Sequence, residues 1–295
     1  MTSLKGLIVT ADDFGASIEV NEAVERAHRG GVLTCASLMV SAPRAADAVA
    51  RARDLPGLGV GLHLVLVEGR PVLPPSQLPA LVQKNGAFRD DMVRASFEMA
   101  LSPTMRRQIA DEIEAQYEAF AETGLKLDHV NAHKHFHLHP AIGRLAIEIG
   151  RHYGLSAMRV PLEPLAVLRK IEPEASGGEV VRFCAARLRD RLRASGVWSP
   201  DRCFGLTWSG AMSAQRLAGL MANLPDGVSE IYLHPATGCY PGSTPGYRYS
   251  QEYAALLSPG VMAQAADLRK GTFADFSLRD ASDTLMASRS DGRNA

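Results

Sequence analysis

At 295 residues and 31.7 kDa, the chain is far longer than a minimal domain yet ordinary for one compact barrel. Its 46% hydrophobic and 22% charged content excludes global disorder, and 32 Lys+Arg against 32 Asp+Glu exclude a protein that holds nucleic acid mainly by its phosphates. The four cysteines, Cys35, Cys184, Cys203 and Cys239, stand far apart with no C-x-x-C pair, which excludes a disulfide framework and a thiolate metal site.

In chain order, residues 6–11 form a short apolar run that predicts a buried strand ending at Asp12-Asp13-Phe14-Gly15. The run is too short for a signal h-region, and no apolar stretch reaches the roughly 20 residues that cross a bilayer, so a soluble cytoplasmic protein is expected. Ser17 stands where an N-cap belongs, and Val20, Ala23, Val24 and Ala27 recur at helical spacing until Gly30-Gly31. An apolar run at 33–40, an alanine-rich helix at 45–53 and a third strand at 58–66 complete a β-α-β-α-β alternation, the signature of a parallel sheet.

Residues 68–97 break that rhythm. Pro71, Pro74, Pro75 and Pro79 crowd together and Asn85-Gly86 signals a turn, so the segment reads as an insertion of the lid kind. A helix at 104–122 follows, with Ile109, Ile113, Tyr117 and Phe120 on one face and Gly124 at its end. Strands are then expected at 127–133, 157–160, 204–208, 230–234 and 272–276, with helices at 140–153, 179–194, 214–223 and 251–270. The fold class is therefore α/β, a (β/α) barrel of seven or eight β-α units over residues 1–281, with a small, polar, disordered tail at 282–295.

Strands of such a barrel are apolar on both faces, so polar residues at their C-terminal ends mark the site. Four ends stand out: Asp12-Asp13, His63, the run from His129 to His139, and His234. Alternation puts His129, Asn131 and His133 on one face and Val130 and Ala132 on the other. A lone histidine there is more often a core or loop residue than a ligand. Five of the nine histidines within residues 129–139 favour a site, although His139, directly before Pro140, fits a helix cap. Asp12-Asp13 could likewise complement a helix dipole, but that explains one carboxylate more easily than two. Two carboxylates with two imidazoles suit a metal site with coordination positions open to water, one Asp binding and the other taking a proton.

Val9-Thr-Ala-Asp12-Asp13-Phe14-Gly15, Gly61-Leu-His63, His129-x-Asn-x-His133-x-His135-x-His137 and Leu233-His234-Pro235 together resemble the YdjC family of carbohydrate deacetylases, over about residues 5–275. Residues 65–74 and 88–91 are similar to its hopanoid-biosynthesis-associated branch, HpnK. The resemblance implies a hydrolase that removes the N-acetyl group of an N-acetylglucosamine-type sugar, free or as the headgroup of a glycosylated hopanoid. It implies one divalent metal ion, magnesium or zinc, held by Asp13, His63 and His133. It makes Asp12 the base, His234 the general acid, and Arg159, in Met158-Arg-Val-Pro161, the partner of the base. The two histidine ligands come from separate segments, unlike those of classical polysaccharide deacetylases.

Secondary expectations are that His135, His137 and Trp208 bind substrate, core packing being as good a reading of Trp208. Arg182, Arg187, Arg189, Arg191 and Arg193 read as a solvated face that could meet anionic lipid headgroups. A homodimer is also expected. Two rival readings stay open: a barrel metallo-phosphoesterase or amidohydrolase, and a sugar- or metal-binding protein without turnover.

Overall fold

The computed structural model describes residues 5–91 and 102–278. Strands β1 (Lys5–Phe14), β2 (Cys35–Leu38), β3 (Gly59–Leu64), β4 (Val130–Ala132), β5 (Arg202–Phe204), β6 (Gly227–Leu233) and β7 (Arg269–Lys270) form one parallel sheet. Its order is β4-β3-β2-β1-β6-β5. β7 pairs with Gly6 and Leu7 at the lower end of the same β1 edge that β2 uses from Thr10 upward. The helices are α1 (Ile18–Gly30), α2 (Ala45–Arg53), α3 (Pro103–Glu122), α4 (Pro140–Gly150), α5 (Leu165–Leu168), α6 (Glu179–Ala194), α7 (Ala214–Ala222), α8 (Tyr249–Leu256) and α9 (Pro259–Ala265). None of the described helices is long and apolar enough to cross a membrane.

Local chemistry explains most boundaries. The Ser17 hydroxyl accepts from the Val20 N–H to start α1, and His139 Nδ1 accepts from the Ala141 N–H to start α4. Gly124 takes the left-handed conformation just past α3, where a residue with Cβ would be strained. Inward and outward faces of the strands are both buried, as a parallel sheet under a helix layer requires.

Two expectations are corrected. The helix at 251–270 is broken into α8 and α9, with Pro259 opening the second at a position where its missing N–H costs nothing. The strand at 272–276 is instead the start of a helical segment at 273–278. Thr272 and Asp275 form a capping box: the Thr272 N–H donates to the Asp275 carboxylate (2.9 Å), and the Asp275 N–H donates to the Thr272 hydroxyl (3.2 Å). That turn drives Phe273 and Phe276 under the sheet, where they pack with Ile8, Cys35 and Ala157. Gly6 has no side chain to spare there, since a Cβ would lie 2.7 Å from the Phe276 ring. The strand expected at 157–160 makes isolated parallel bridges, Val130 to Met158 and Ala157 to Trp198, rather than a regular ladder. The expected tail at 282–295 and the end of the insertion, 92–97, lie outside the described residues.

Candidate active site at the C-terminal end of the sheet

Adjacent strand residues normally point to opposite faces, so Asp12 and Asp13 should diverge. They do not. The β1–β2 register shifts between Ala11 and Phe14, and Asp13 sits at φ 62°, a left-handed backbone uncommon outside glycine. The irregularity turns both carboxylates into one cavity of about 270 Å³, which Asp12, Asp13, His63, His133, His135, Tyr232, His234 and Tyr247 help to line. A pair of left-handed residues, Lys134 and His135 (φ 53° each), bends the chain after β4 so that His133 and His135 both reach the same space. Backbone strain concentrated at one place is the mark of a functional constraint.

Asp13, His63 and His133 offer three donor atoms that all lie within 4.8 Å of one another. Asp13 Oδ1 stands 3.3 Å from His63 Nε2 and 3.1 Å from His133 Nδ1. His63 Nδ1 faces the Asn131 side-chain oxygen at 2.6 Å, while its buried Nε2 has no hydrogen-bond partner. A carboxylate and two imidazoles converging this way fit a divalent ion of the zinc or transition-metal kind, with room left for water. Burial alone would raise the Asp13 carboxyl, yet His133 and His63 hold it well below the usual range.

Asp12 has different company. Burial alone would raise its carboxyl, but Arg159 outweighs it through two hydrogen bonds, Nη1 to Oδ2 at 2.6 Å and Nη2 to Oδ1 at 2.9 Å. The result is a carboxylate held far below its ordinary value. Arg159 is wholly buried and also donates from Nε and Nη2 to Glu230 Oε1 (2.9 and 2.7 Å), with its guanidinium 4.4 Å from the Tyr232 ring centre. The Thr10 hydroxyl completes that triad by donating to Glu230 at 2.8 Å.

His234 also lines the cavity, its ring 5.2 Å from that of Tyr247 and its buried Nδ1 without a partner. Burial pushes its imidazole down, against the pull of Asp13 and Asp12. Its backbone N–H donates to Glu252, whose other carboxylate oxygen accepts from the Met212 N–H at 2.8 Å.

His135 joins the cavity, with Nε2 2.7 Å from the Tyr232 hydroxyl. His137 and Trp208 are not brought to it. His137 is fully buried behind the site with Nε2 on the Arg159 carbonyl oxygen at 3.1 Å, and Trp208 donates to Glu172 at 3.1 Å beneath the Arg216 guanidinium. Both are therefore packed away from the cavity that substrate would enter. The insertion borders a neighbouring cavity of about 470 Å³ through Glu68, Arg70, Gln83, Asn85 and Asp90, and this space shares Asp13 and His133 with the first. Sequence reasoning passed over Asn131's three contacts, Tyr232, Glu230, Tyr247 and Glu252. The first three were open to the same alternation rule that exposed His133 and His234; Tyr247 and Glu252 carry no local signal.

A model of the YdjC-like protein family matches residues 6–267, nearly the whole described chain. The chain belongs to this family. It is 32% identical over 266 residues to a carbohydrate deacetylase of Geobacillus stearothermophilus, covering 88% of this chain and 92% of that one. It is 32% identical over 197 residues to a chitooligosaccharide deacetylase of Salmonella schwarzengrund, covering 62% and 74%. A crystal structure from Enterococcus faecalis, of a protein proposed to cleave cellobiose phosphate, superposes with a TM-score of 0.74 at 24% identity, over 92% of this chain and 99% of that one. That likeness shows the fold.

Proposed function

We propose that this YdjC-like protein is a metal-dependent carbohydrate N-deacetylase, hydrolysing the acetamide of an N-acetylglucosamine-type sugar to the free amine and acetate. The observation that carries the reading is the division between two adjacent carboxylates: Asp13 faces His63 and His133, whereas Asp12 faces Arg159. When bound by Asp13, His63 and His133, the ion supplies Lewis-acid polarisation of the amide carbonyl and a lowered pKa for water. Asp12, held ionised by Arg159, takes the proton of the water that attacks the carbonyl carbon. His234, which lines the same cavity, gives a proton to the amine as the C–N bond breaks. Tyr247 forms a wall of the cavity on which a sugar ring can lie.

A single domain spanning residues 1–281 carries this site in our reading, with a seven-unit barrel completed by residues 157–162. Support comes from backbone bonds on both sides of that segment, Arg159 N–H to Val130 O (3.0 Å) and Cys203 N–H to Leu162 O (3.2 Å). A lipid-linked acceptor, such as a glycosylated hopanoid, is supported by the resemblance of residues 65–74 and 88–91. The exposed Val180 and Phe183 on the arginine-rich helix α6 add to it. The test is release of acetate and free amine from soluble and lipid-linked N-acetylglucosaminyl compounds with magnesium, zinc or no added ion. Turnover that needs an ion and vanishes in His63→Ala and His133→Ala is expected. Equal turnover after exhaustive chelation refutes the metal reading, and no turnover on any acceptor favours a binding protein.

A further inference from the structure

A chain of buried polar groups runs from the lower end of the sheet to the candidate metal ligands, and the mechanism above uses none of it except its last member. Asp128 Oδ2 lies 2.9 Å from His129 Nδ1; His129 Nε2 lies 3.0 Å from the Ser37 hydroxyl; the Asn131 amide nitrogen donates to Ser37 Oγ at 2.8 Å and to Asp12 Oδ1 at 3.3 Å; and the Asn131 oxygen meets His63 Nδ1 at 2.6 Å. Asp128 is 5% exposed, His63 2%, and Ser37, His129 and Asn131 are fully buried, so water cannot stand in for any link.

We propose that Asp128, His129, Ser37 and Asn131 are positioning residues that fix which nitrogen His63 presents to the metal. The proposal rests on the metal-site reading given above. Its logic is proton direction. Asp128 also accepts from the Phe273 and Ala274 N–H groups and its carboxyl is held below the usual range, so it is an acceptor only. His129 must then carry its proton on Nδ1, which leaves Nε2 as an acceptor for the Ser37 O–H. With its own proton committed, Ser37 accepts, and the Asn131 group facing it must be the NH2. The Asn131 oxygen is thereby turned to His63, which puts the His63 proton on Nδ1 and leaves a lone pair on Nε2, the atom beside Asp13 that has no other partner. The Asp12 carboxylate holds the same NH2 at a longer 3.3 Å, so reversing the Ser37 link weakens the bias on the amide and admits the other His63 tautomer, whose Nε2–H cannot ligate. A hydrogen bond to the far nitrogen of a metal-bound histidine is a general device for setting tautomer and basicity.

The fold makes room for the chain at the expense of two side chains. A Cβ at Gly59 would lie 2.7 Å from Asp128 Oδ2, and one at Gly61 would lie 2.5 Å from ring atoms of His129. Phe273 covers the other face of that ring, stacked at 4.1 Å between centroids. Cys35, Asp128 and His129 also lie close enough together for a second ion, but Asp128 and His129 are already spent on one another and on Ser37 and the 273–274 backbone, so they serve the chain instead.

Two readouts separate positioning from simple structure: Zn²⁺ affinity by competition with a chromophoric chelator, and the His63 tautomer by ¹⁵N NMR of the metal-free protein at a pH where the ring is neutral. Ser37→Ala removes one oxygen from a buried site and should fold. We expect it to give a tautomer mixture and a three- to tenfold weaker Zn²⁺ affinity; Asp128→Asn should do the same, and Asn131→Leu should lose about 10- to 100-fold. A single Nδ1–H tautomer with wild-type affinity in folded Ser37→Ala overturns the relay, even if Asn131→Leu is impaired. His63→Ala is the control: wild-type Zn²⁺ affinity there overturns the metal-site reading itself, whereas its loss alongside unaffected Ser37→Ala overturns only the present inference.

Discussion

The Arg159 guanidinium grips Asp12 with two nitrogens, at 2.6 and 2.9 Å, while its remaining edge faces Glu230. One buried cation thus hydrogen-bonds two buried carboxyl side chains. Arg159→Ala would strand both without compensation, and we expect a loss of about 3–5 kcal/mol in urea denaturation, the scale for breaking a buried ion pair. Arg159→Lys keeps the charge but not the planar fork, so it should fold, retain metal and lose kcat. An Arg159→Ala protein as stable as wild type would show that the charges are solvated after all.

The two aspartates should separate cleanly. With Asp13 as a ligand, as proposed above, Asp13→Asn puts a poorer donor in its place and should weaken metal binding. Asp12→Asn should keep its metal and lower kcat by about 100-fold or more, the scale of a lost general base. Metal analysis beside steady-state kinetics decides the matter; an Asp12→Asn protein without metal, with Asp13→Asn still loaded, would exchange the two roles.

Much of this site was legible because a parallel strand buried on both faces has no ordinary reason to end in Asp12, His63, His133 or His234. Alternation alone separated His129, Asn131 and His133 from Val130 and Ala132, and the structure keeps that division. What alternation could not give was the exception to it, the left-handed backbone at Asp13 and at Lys134-His135 that turns neighbouring side chains into one space. Glu252 was illegible for another reason: it is an unremarkable helical position until α8 packs beneath His234, a contact between parts of the chain that no local pattern reports. His137 lies in the same dense run, yet it is buried with Nε2 at the Arg159 carbonyl oxygen, a placement the run itself does not announce. The strand expected at 272–276 failed because an apolar run was weighed above Thr272-x-x-Asp275, whose capping geometry was written in the sequence.

Gly61 offers a sharper test of packing. Its missing side chain is where the His129 ring lies, so Gly61→Ala forces either the ring or β3 to move. We expect a destabilisation of about 1–3 kcal/mol, the usual cost of overpacking a core, together with weakened metal binding through the displaced ring. Chemical denaturation and chelator competition on the same protein measure both; unchanged values would mean the sheet yields freely there.

The insertion should govern the acceptor rather than the chemistry. Gln83, Asn85 and Asp90 line the 470 Å³ cavity and not the 270 Å³ one, whereas Glu68 reaches Lys134 at 3.1 Å beside His133. Replacing residues 83–87 by a shorter turn should raise KM or change acceptor preference and leave metal content intact. Unaltered kinetics on every acceptor would remove the segment from the binding site.

Glu252 predicts a pH dependence of stability with a definite sign. Burial pushes its carboxyl up to about 7 from an ordinary 4.5, against the two backbone N–H groups it accepts from. Between those values the folded protein keeps the proton that the unfolded chain gives up, so unfolding releases a proton and stability falls as pH rises through this window. The buried acids held low, Asp12, Asp13 and Asp128, lose their contribution only at more acid pH, so they do not mask the effect. Glu252→Gln cannot titrate. It also turns an amide NH2 toward one of the two N–H groups, which makes it less stable than wild type at pH 5. The stability difference, wild type minus variant, should therefore shrink by about 1–3 kcal/mol between pH 5 and pH 8. Urea denaturation of both proteins at the two pH values measures it, and a difference that stays constant or widens would mean that Glu252 is already ionised in the folded protein near pH 5.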